Sequence, residues 1–232
     1  MFKTVEIDNF KTFSNFSINL SKMTVIVGNN AVGKSAFLDA ISLLKSSVTE
    51  GFSAYLGSND LKVENIKNKF DKSPRISFNT VIDVDNEGTV AELQWAMVIK
   101  AYVGGNDIYL SEESVTCDDR ILLSYKEGHG YQFLSVDGVV KKSPIDMKFD
   151  ASCMKYLIKN KIDKRLNALI SYLTNSESFA LLTPENMRQS SRSKEDSIGA
   201  TGRNLSSFIK RMPDDRRNEF TFNLHHLLGE RV

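Results

Sequence analysis

Gly28-Asn29-Asn30-Ala31-Val32-Gly33-Lys34-Ser35 decides how the rest of this chain is read. The octet satisfies G-x-x-x-x-G-K-[ST], in which the backbone N–H groups cradle phosphates, the lysine reaches the β- and γ-phosphates and the hydroxyl ligates Mg²⁺. Its surroundings fit. Met23-Thr24-Val25-Ile26-Val27 ahead of it is apolar and β-branched, as a buried strand would be, and Ala36 to Val48 behind it carries Phe37, Ile41, Leu44 and Val48 at helical spacing. Strand, loop and helix therefore arrive in the required order, and the helix N-terminus adds its own attraction for anions. The expected ligand is a nucleoside triphosphate with Mg²⁺, held by Gly28, Asn29, Asn30, Ala31, Val32, Gly33, Lys34, Ser35 and Ala36. Lys34 is the expected catalytic cation and Ser35 the metal ligand. A Gly-rich turn ahead of an ordinary amphipathic helix is the bland alternative, and it leaves the flanking strand as coincidence.

The chain has 232 residues, 41% of them hydrophobic and 25% charged, an ordinary composition for a folded globular protein. Thirty basic residues against twenty-nine acidic ones give a net charge of +1, so any nucleic-acid contact would have to come from a local patch. The two cysteines, Cys117 and Cys153, are too far apart in sequence for a CxxC metal or redox site and read as reduced, buried thiols. Neither a signal-peptide apolar core nor a membrane-length apolar run of about eighteen residues is present, which makes a cytoplasmic protein without a membrane partner the expectation.

Outward from the loop, Phe2 to Ile7 and Phe16 to Leu20 alternate as short strands. Gly51 to Pro74 reads as loop and short helix, with Lys62, Lys67, Lys69 and Lys72 on a solvated face. From Arg75 to about Val140 the period is two: Ile76 to Val84, Val90 to Val103, Ile108 to Leu110, Ile121 to Tyr125 and Tyr131 to Val136, interrupted by Asn86-Glu87-Gly88, Gly104 to Asp107 and Asp137-Gly138. This is an antiparallel meander of about five or six strands, with Trp95 as a packing residue. A helical stripe runs from Met154 to Leu173, and Leu205, Phe208 and Ile209, then Phe220, Leu224, Leu227 and Leu228, suggest two final helices. The expected fold is α/β: a P-loop NTPase lobe spanning 1–232, with a mixed sheet carrying the loop (1–50), an antiparallel β-subdomain (75–140) and a helical part (150–232).

Three features resemble the ATPase heads of the SMC/RecF group of ABC-type ATPases, including AAA-family ATPases of the overcoming-lysogenization-defect and phage-defence kind. Ile7-Asp8-Asn9-Phe10-Lys11-Thr12-Phe13 is similar to the family's Asn-Phe-basic-x-Phe signature. The loop has the family's asparagine at Asn30, although Ala31 stands where glycine is usual. Ile108-Tyr109-Leu110-Ser111-Glu112-Glu113, with an acidic residue on a β-subdomain strand, and Gly199-Ala200-Thr201-Gly202-Arg203-Asn204-Leu205 are similar to weaker patterns. The resemblance implies that Lys11 and Thr12 lie near base and ribose, and that Glu185 or Gln189 is the γ-phosphate-sensing Q-loop residue. It also implies a homodimer or a partner lobe bearing a signature motif, and DNA as a further partner in repair or defence.

The resemblance covers the first half of such a head. A Ser-x-Gly signature and a strand ending in Asp-Glu belong further on, and Asp83 and Asp85 read as hairpin residues rather than that acidic pair; His225 and His226 read as ordinary helix residues. Hydrolysis is therefore expected when a second lobe completes the site, the alternative being a non-hydrolysing nucleotide-binding module. A GTPase is a further alternative. Asp85-Asn86-Glu87-Gly88 fits DxxG and Asn160-Lys161-Ile162-Asp163 fits NKxD, but so does Asn68-Lys69-Phe70-Asp71, and Asn160 falls within the helical stripe instead of after a buried parallel strand.

Overall fold

The computed structural model describes residues 1–232 apart from 105, 106, 137, 138, 158–161, 178, 180–183, 193–196, 200 and 230–232. They form two compact units, Met1–Ser176 and Glu177–Val232.

The first unit is built on one eight-stranded sheet in the order β2-β1-β3-β4-β5-β6-β7-β8, with every neighbouring pair antiparallel. Its strands are β1 (Phe2–Asp8), β2 (Phe16–Asn19), β3 (Arg75–Asn86), β4 (Thr89–Tyr102), β5 (Asp107–Cys117), β6 (Arg120–Lys126), β7 (His129–Val136) and β8 (Val139–Asp146). The expected mixed sheet is thus corrected: the N-terminal strands and the meander form a single antiparallel sheet, joined through the β1–β3 ladder. Local chemistry explains the meander. Ile76, Phe78, Thr80, Ile82 and Val84 alternate inward on β3, and Leu93, Trp95, Met97, Ile99 and Ala101 do so on β4. The two-residue turns Glu87-Gly88, Asp118-Asp119 and Glu127-Gly128 all have positive φ at both positions, the type I′ geometry whose twist matches that of paired strands.

β5 runs past the alternating Ile108–Leu110 to Cys117 and takes in Glu112-Glu113, which the resemblance sets on a β-subdomain strand. Ser111 to Ser114 is a polar stretch without a strand signature, yet Glu113 is buried: Trp95 Nε1 donates to Oε1 at 2.8 Å, Ser152 Oγ donates to Oε1 at 2.5 Å and Cys153 N donates to Oε2 at 2.7 Å. Burial still raises the carboxyl above its usual range, against the pull of these donors. Cys117 and Cys153 are both buried and free.

Helices cover one face. α1 (Lys34–Thr49) buries Ala36, Phe37, Ala40, Leu43, Leu44 and Val48, a stripe at helical spacing, and each fully buried leucine contributes about 1.5–3 kcal/mol. It packs against α2 (Phe52–Ser58), a 3-10 turn at Cys153–Tyr156 and α4 (Lys164–Asn175), and α4 lies on β3 and β4. The helical stripe expected from Met154 to Leu173 is therefore two elements, the 3-10 turn and α4, with 158–161 between them outside the described residues. The short α3 (Val63–Ile66) precedes Lys67, which is buried rather than on a solvated face because its backbone bridges to Phe10.

In the second unit, α5 (Pro184–Arg188) opens on a proline, and α6 (Leu205–Arg211) follows a tight turn in which Gly202 N donates to Gly199 O and Asn204 N donates to Ile198 O. α7 (Asp214–Leu228) carries His225 and His226 exposed in its last turn. Among the described residues no helix is long and apolar enough to cross a membrane.

Candidate functional site

The loop 28–35 leaves β2 through a segment that does not become a strand. Met23, Val25 and Val27 are 82%, 70% and 83% exposed, and among the described residues 22–32 make no backbone hydrogen bond to another segment. This corrects the expected buried strand. The composition of 23–27 suits a strand that is covered on both faces, and such a strand needs neighbours on both edges. β2, already paired with β1, turns away at Ser21–Thr24, where Thr24 Oγ1 accepts from Ser21 N.

The loop itself is shaped by its glycines and closed by its lysine. Gly33 has φ 101° and caps α1, and Phe37 N donates to Gly33 O at 3.0 Å as the first intrahelical bond, so the N–H groups of Lys34, Ser35 and Ala36 precede it. A Cβ at Gly33 would lie 2.9 Å from Thr12 Oγ1 and 3.4 Å from the Phe13 ring, so the position excludes side chains on two independent grounds. Lys34 Nζ donates to the carbonyls of Gly28 at 2.8 Å and Asn29 at 2.5 Å, which folds its charge back into the loop. Asn29, Asn30, Ala31, Val32 and Ser35 are exposed, while the Ala36 side chain is buried, leaving its backbone N–H as the group it can offer. Ala31 adopts φ 64°, the left-handed conformation that a glycine there would take without a steric cost of roughly 1–2 kcal/mol.

The turn 9–15 brings Lys11 and Thr12 beside this loop. Lys11 Nζ meets Asp39 Oδ2 of α1 at 2.5 Å, and Thr12 stands against Gly33. Sequence reasoning missed Asp39; its signal is a carboxylate four residues after Ser35, on the same face of the helix. It missed Asn9 and Asn68 as well: Asn9 Nδ2 donates to Ser73 O and Arg75 O, and Asn68 Nδ2 donates to Phe13 O, which fixes the turn.

Other candidates have structural occupations. Asp85 Oδ1 accepts from Gly88 N within the β3–β4 turn, and Asp83 lies 3.9 Å from Lys3 Nζ. Asp163 caps α4 through Arg165 N and holds the Arg165 guanidinium at 2.9 Å, so its carboxylate is engaged; Asn160 and Lys161 lie outside the described residues. Glu185 lies in the first turn of α5 and Gln189 just beyond it, both in the second unit. Among the described residues no three His, Cys, Asp or Glu side chains gather to hold a metal ion.

A glycine-capped helix whose first turn presents free N–H groups, a folded-back lysine and an exposed hydroxyl is suited to the phosphates of a nucleotide. The chain belongs to the AAA ATPase domain family, whose profile matches residues 1–210. Membership supports ATP as the ligand, with Mg²⁺ as its usual companion. Comparison with curated proteins returns no match.

Proposed function

We propose that residues 28–36 bind the triphosphate of ATP·Mg²⁺ and that hydrolysis follows when a second lobe adds strands beside Met23–Val27. The exposure of Met23, Val25 and Val27 directly ahead of the loop carries this reading. Five apolar or β-branched residues lead into the site without a ladder on either edge, and a row of unpaired N–H and C=O groups is a template for another strand. Lys34 would leave the carbonyls of Gly28 and Asn29 for the β- and γ-phosphates, and the N–H groups of Lys34, Ser35 and Ala36 would face the phosphate oxygens. Ser35 would hold Mg²⁺, which neutralises charge on the transferred phosphoryl group. The added lobe would supply a carboxylate pair at the end of its own apolar strand and a signature segment over the γ-phosphate, from the same protein, a second copy or a partner. The resemblance of Ile7–Phe13 to SMC/RecF heads extends the proposal to an ATPase acting with DNA, in repair or phage defence.

Hydrogen exchange and turnover test this together. Amides of 23–27 are expected to exchange rapidly in the chain alone, and a polypeptide bearing the signature and an apolar strand ending in Asp-Glu is expected to protect them and to start ATP turnover. Protection without turnover, or turnover on the order of 1 s⁻¹ by the chain alone, rules the half-site reading out. A second reading, a module that uses ATP as a conformational ligand, is favoured by Asp39: this carboxylate of the first α1 turns is engaged by Lys11 rather than free for magnesium or water.

A further inference from the structure

We propose that the open face of the sheet is an interface between two copies of this chain, related by a two-fold axis that runs along β4. The inference is independent of the phosphate site. α2 and α4 pack on one face of the sheet, and the other presents Ser77, Asn79 and Val81 on β3 beside Gln94, Ala96 and Val98 on β4. Three adjoining depressions, of about 320, 400 and 220 Å³, cross this face: the first two share Glu6 and Asn79, and the last two share Ala96 and Ser114. A sheet face exposed to water alone is normally dressed in charged side chains. These six central positions carry no charge.

The ladder register makes the face self-complementary. Asp8 pairs with Ser77, Ser77 with Val98, Val98 with Glu112 and Glu112 with Lys126, so these residues form one row across the strands, with β4 in its middle. Turning a second copy over about an axis along β4 therefore sets Asp8 of each copy opposite Lys126 of the other. The neighbouring row runs Glu6, Asn79, Ala96, Ser114 and Ser124. There Ala96 meets itself on the axis, Asn79 meets Ser114 and Glu6 meets Ser124, so a small side chain is flanked by hydrogen-bonding pairs. Stacked sheets keep their strands within about 30° of each other, which holds such rows in facing pairs.

Charge fits the same axis. Asp8 Oδ1 accepts from Asn15 N at 2.9 Å and Glu6 Oε2 from Asn79 Nδ2 at 3.3 Å, and among the described residues neither carboxylate pairs with a cation. The Lys126 side chain is 73% exposed and loosely held, 3.6 Å from Glu112. Glu92 and Lys100, the charged residues of β4 that would approach their own copies, are already paired within the chain, Glu92 with Lys3 at 2.5 Å and Lys100 with Glu127 at 2.7 Å. Five strands by three rows measure about 24 Å by 20 Å, or about 1,000 Å² over both copies, the lower bound of a specific interface. The dimer is therefore expected to be weak and concentration-dependent.

Sedimentation equilibrium of the full chain without nucleotide tests this, so that a dimer closed around ATP is not what is read. A monomer–dimer equilibrium with a dissociation constant on the order of 10 μM is expected. Ala96→Arg sets two like charges on the axis and is expected to raise that constant roughly tenfold or more, with the circular dichroism unchanged. Asp8→Lys and Lys126→Glu each make both cross-copy pairs repulsive and are expected to weaken association roughly three- to tenfold; combined, they restore opposite charges and are expected to return it close to the wild-type value. These charge variants decide the question by themselves should Ala96→Arg fail to fold. A chain still monomeric at about 100 μM, a dimer indifferent to Ala96→Arg, or charge variants whose losses add in the double variant overturns the proposal.

Discussion

β3 buries every second side chain from Ile76 to Val84 and β4 does so from Leu93 to Ala101, whereas Met23–Val27, richer in β-branched residues, lies open to solvent. Propensity does not separate the two regions. Partners do. β3 finds β4 across the Glu87-Gly88 turn, and the register Asn86↔Thr89 through Arg75↔Lys100 follows from that local event. A strand that is apolar on both faces needs neighbours brought to it by long crossovers or by another chain, and nothing within a few residues of Val25 can supply them. An antiparallel hairpin is thus self-sufficient in sequence, and a central strand is not.

Substitutions can break or sharpen this contrast. The largest effect is expected at Leu93, fully buried on β4: Leu93→Ala should lose about 2–5 kcal/mol of unfolding free energy in urea. A loss under about 1 kcal/mol would mean that the sheet core is not where the burial places it. Lys34→Ala comes next, on the open side of the comparison. It should weaken ATP·Mg²⁺ by roughly 10- to 100-fold, the worth of charge-assisted hydrogen bonds, with the thermal midpoint nearly unchanged because, among the described residues, Lys34 Nζ bonds to carbonyls of its own exposed loop. Equal affinities by calorimetry would remove the loop from the binding site.

Glu113 gives the sheet a pH signature. Burial raises its carboxyl above the ordinary 4.5, so its contribution to folding is fully present below that value and is lost as pH rises through the folded-state value. The wild-type urea midpoint should therefore fall relative to that of Glu113→Gln as pH is raised from 4.5, and parallel curves would place the carboxyl in contact with water. Ala31→Gly should stabilise the chain by no more than about 1 kcal/mol, since it relieves the left-handed φ of 64° but adds unfolded-state freedom. A clear loss of stability would show that the Ala31 methyl makes contacts outweighing its strain. The smallest effect is expected at Val25→Thr, within about 0.5 kcal/mol because its side chain touches little, and a larger loss would show that 23–27 is already covered.

The sequence by itself determined the elements whose causes are local. The 28–35 octet, the helix Lys34–Thr49 behind it, the short strands before it and the hairpins of the meander all follow from spacing, periodicity and turn residues a few positions apart. Only the tertiary structure decided what distant partners control. The polar half of β5 is a strand because Glu113 finds donors 18, 39 and 40 residues away in Trp95, Ser152 and Cys153. Lys67 is buried because Phe10 bridges to it, and Lys11 reaches the helix that the loop opens because Asp39 stands 28 residues further on. Met23–Val27 is exposed for the converse reason: its composition specifies a covered strand, but a strand's ladder is made by its neighbours, and no amount of local propensity can provide them.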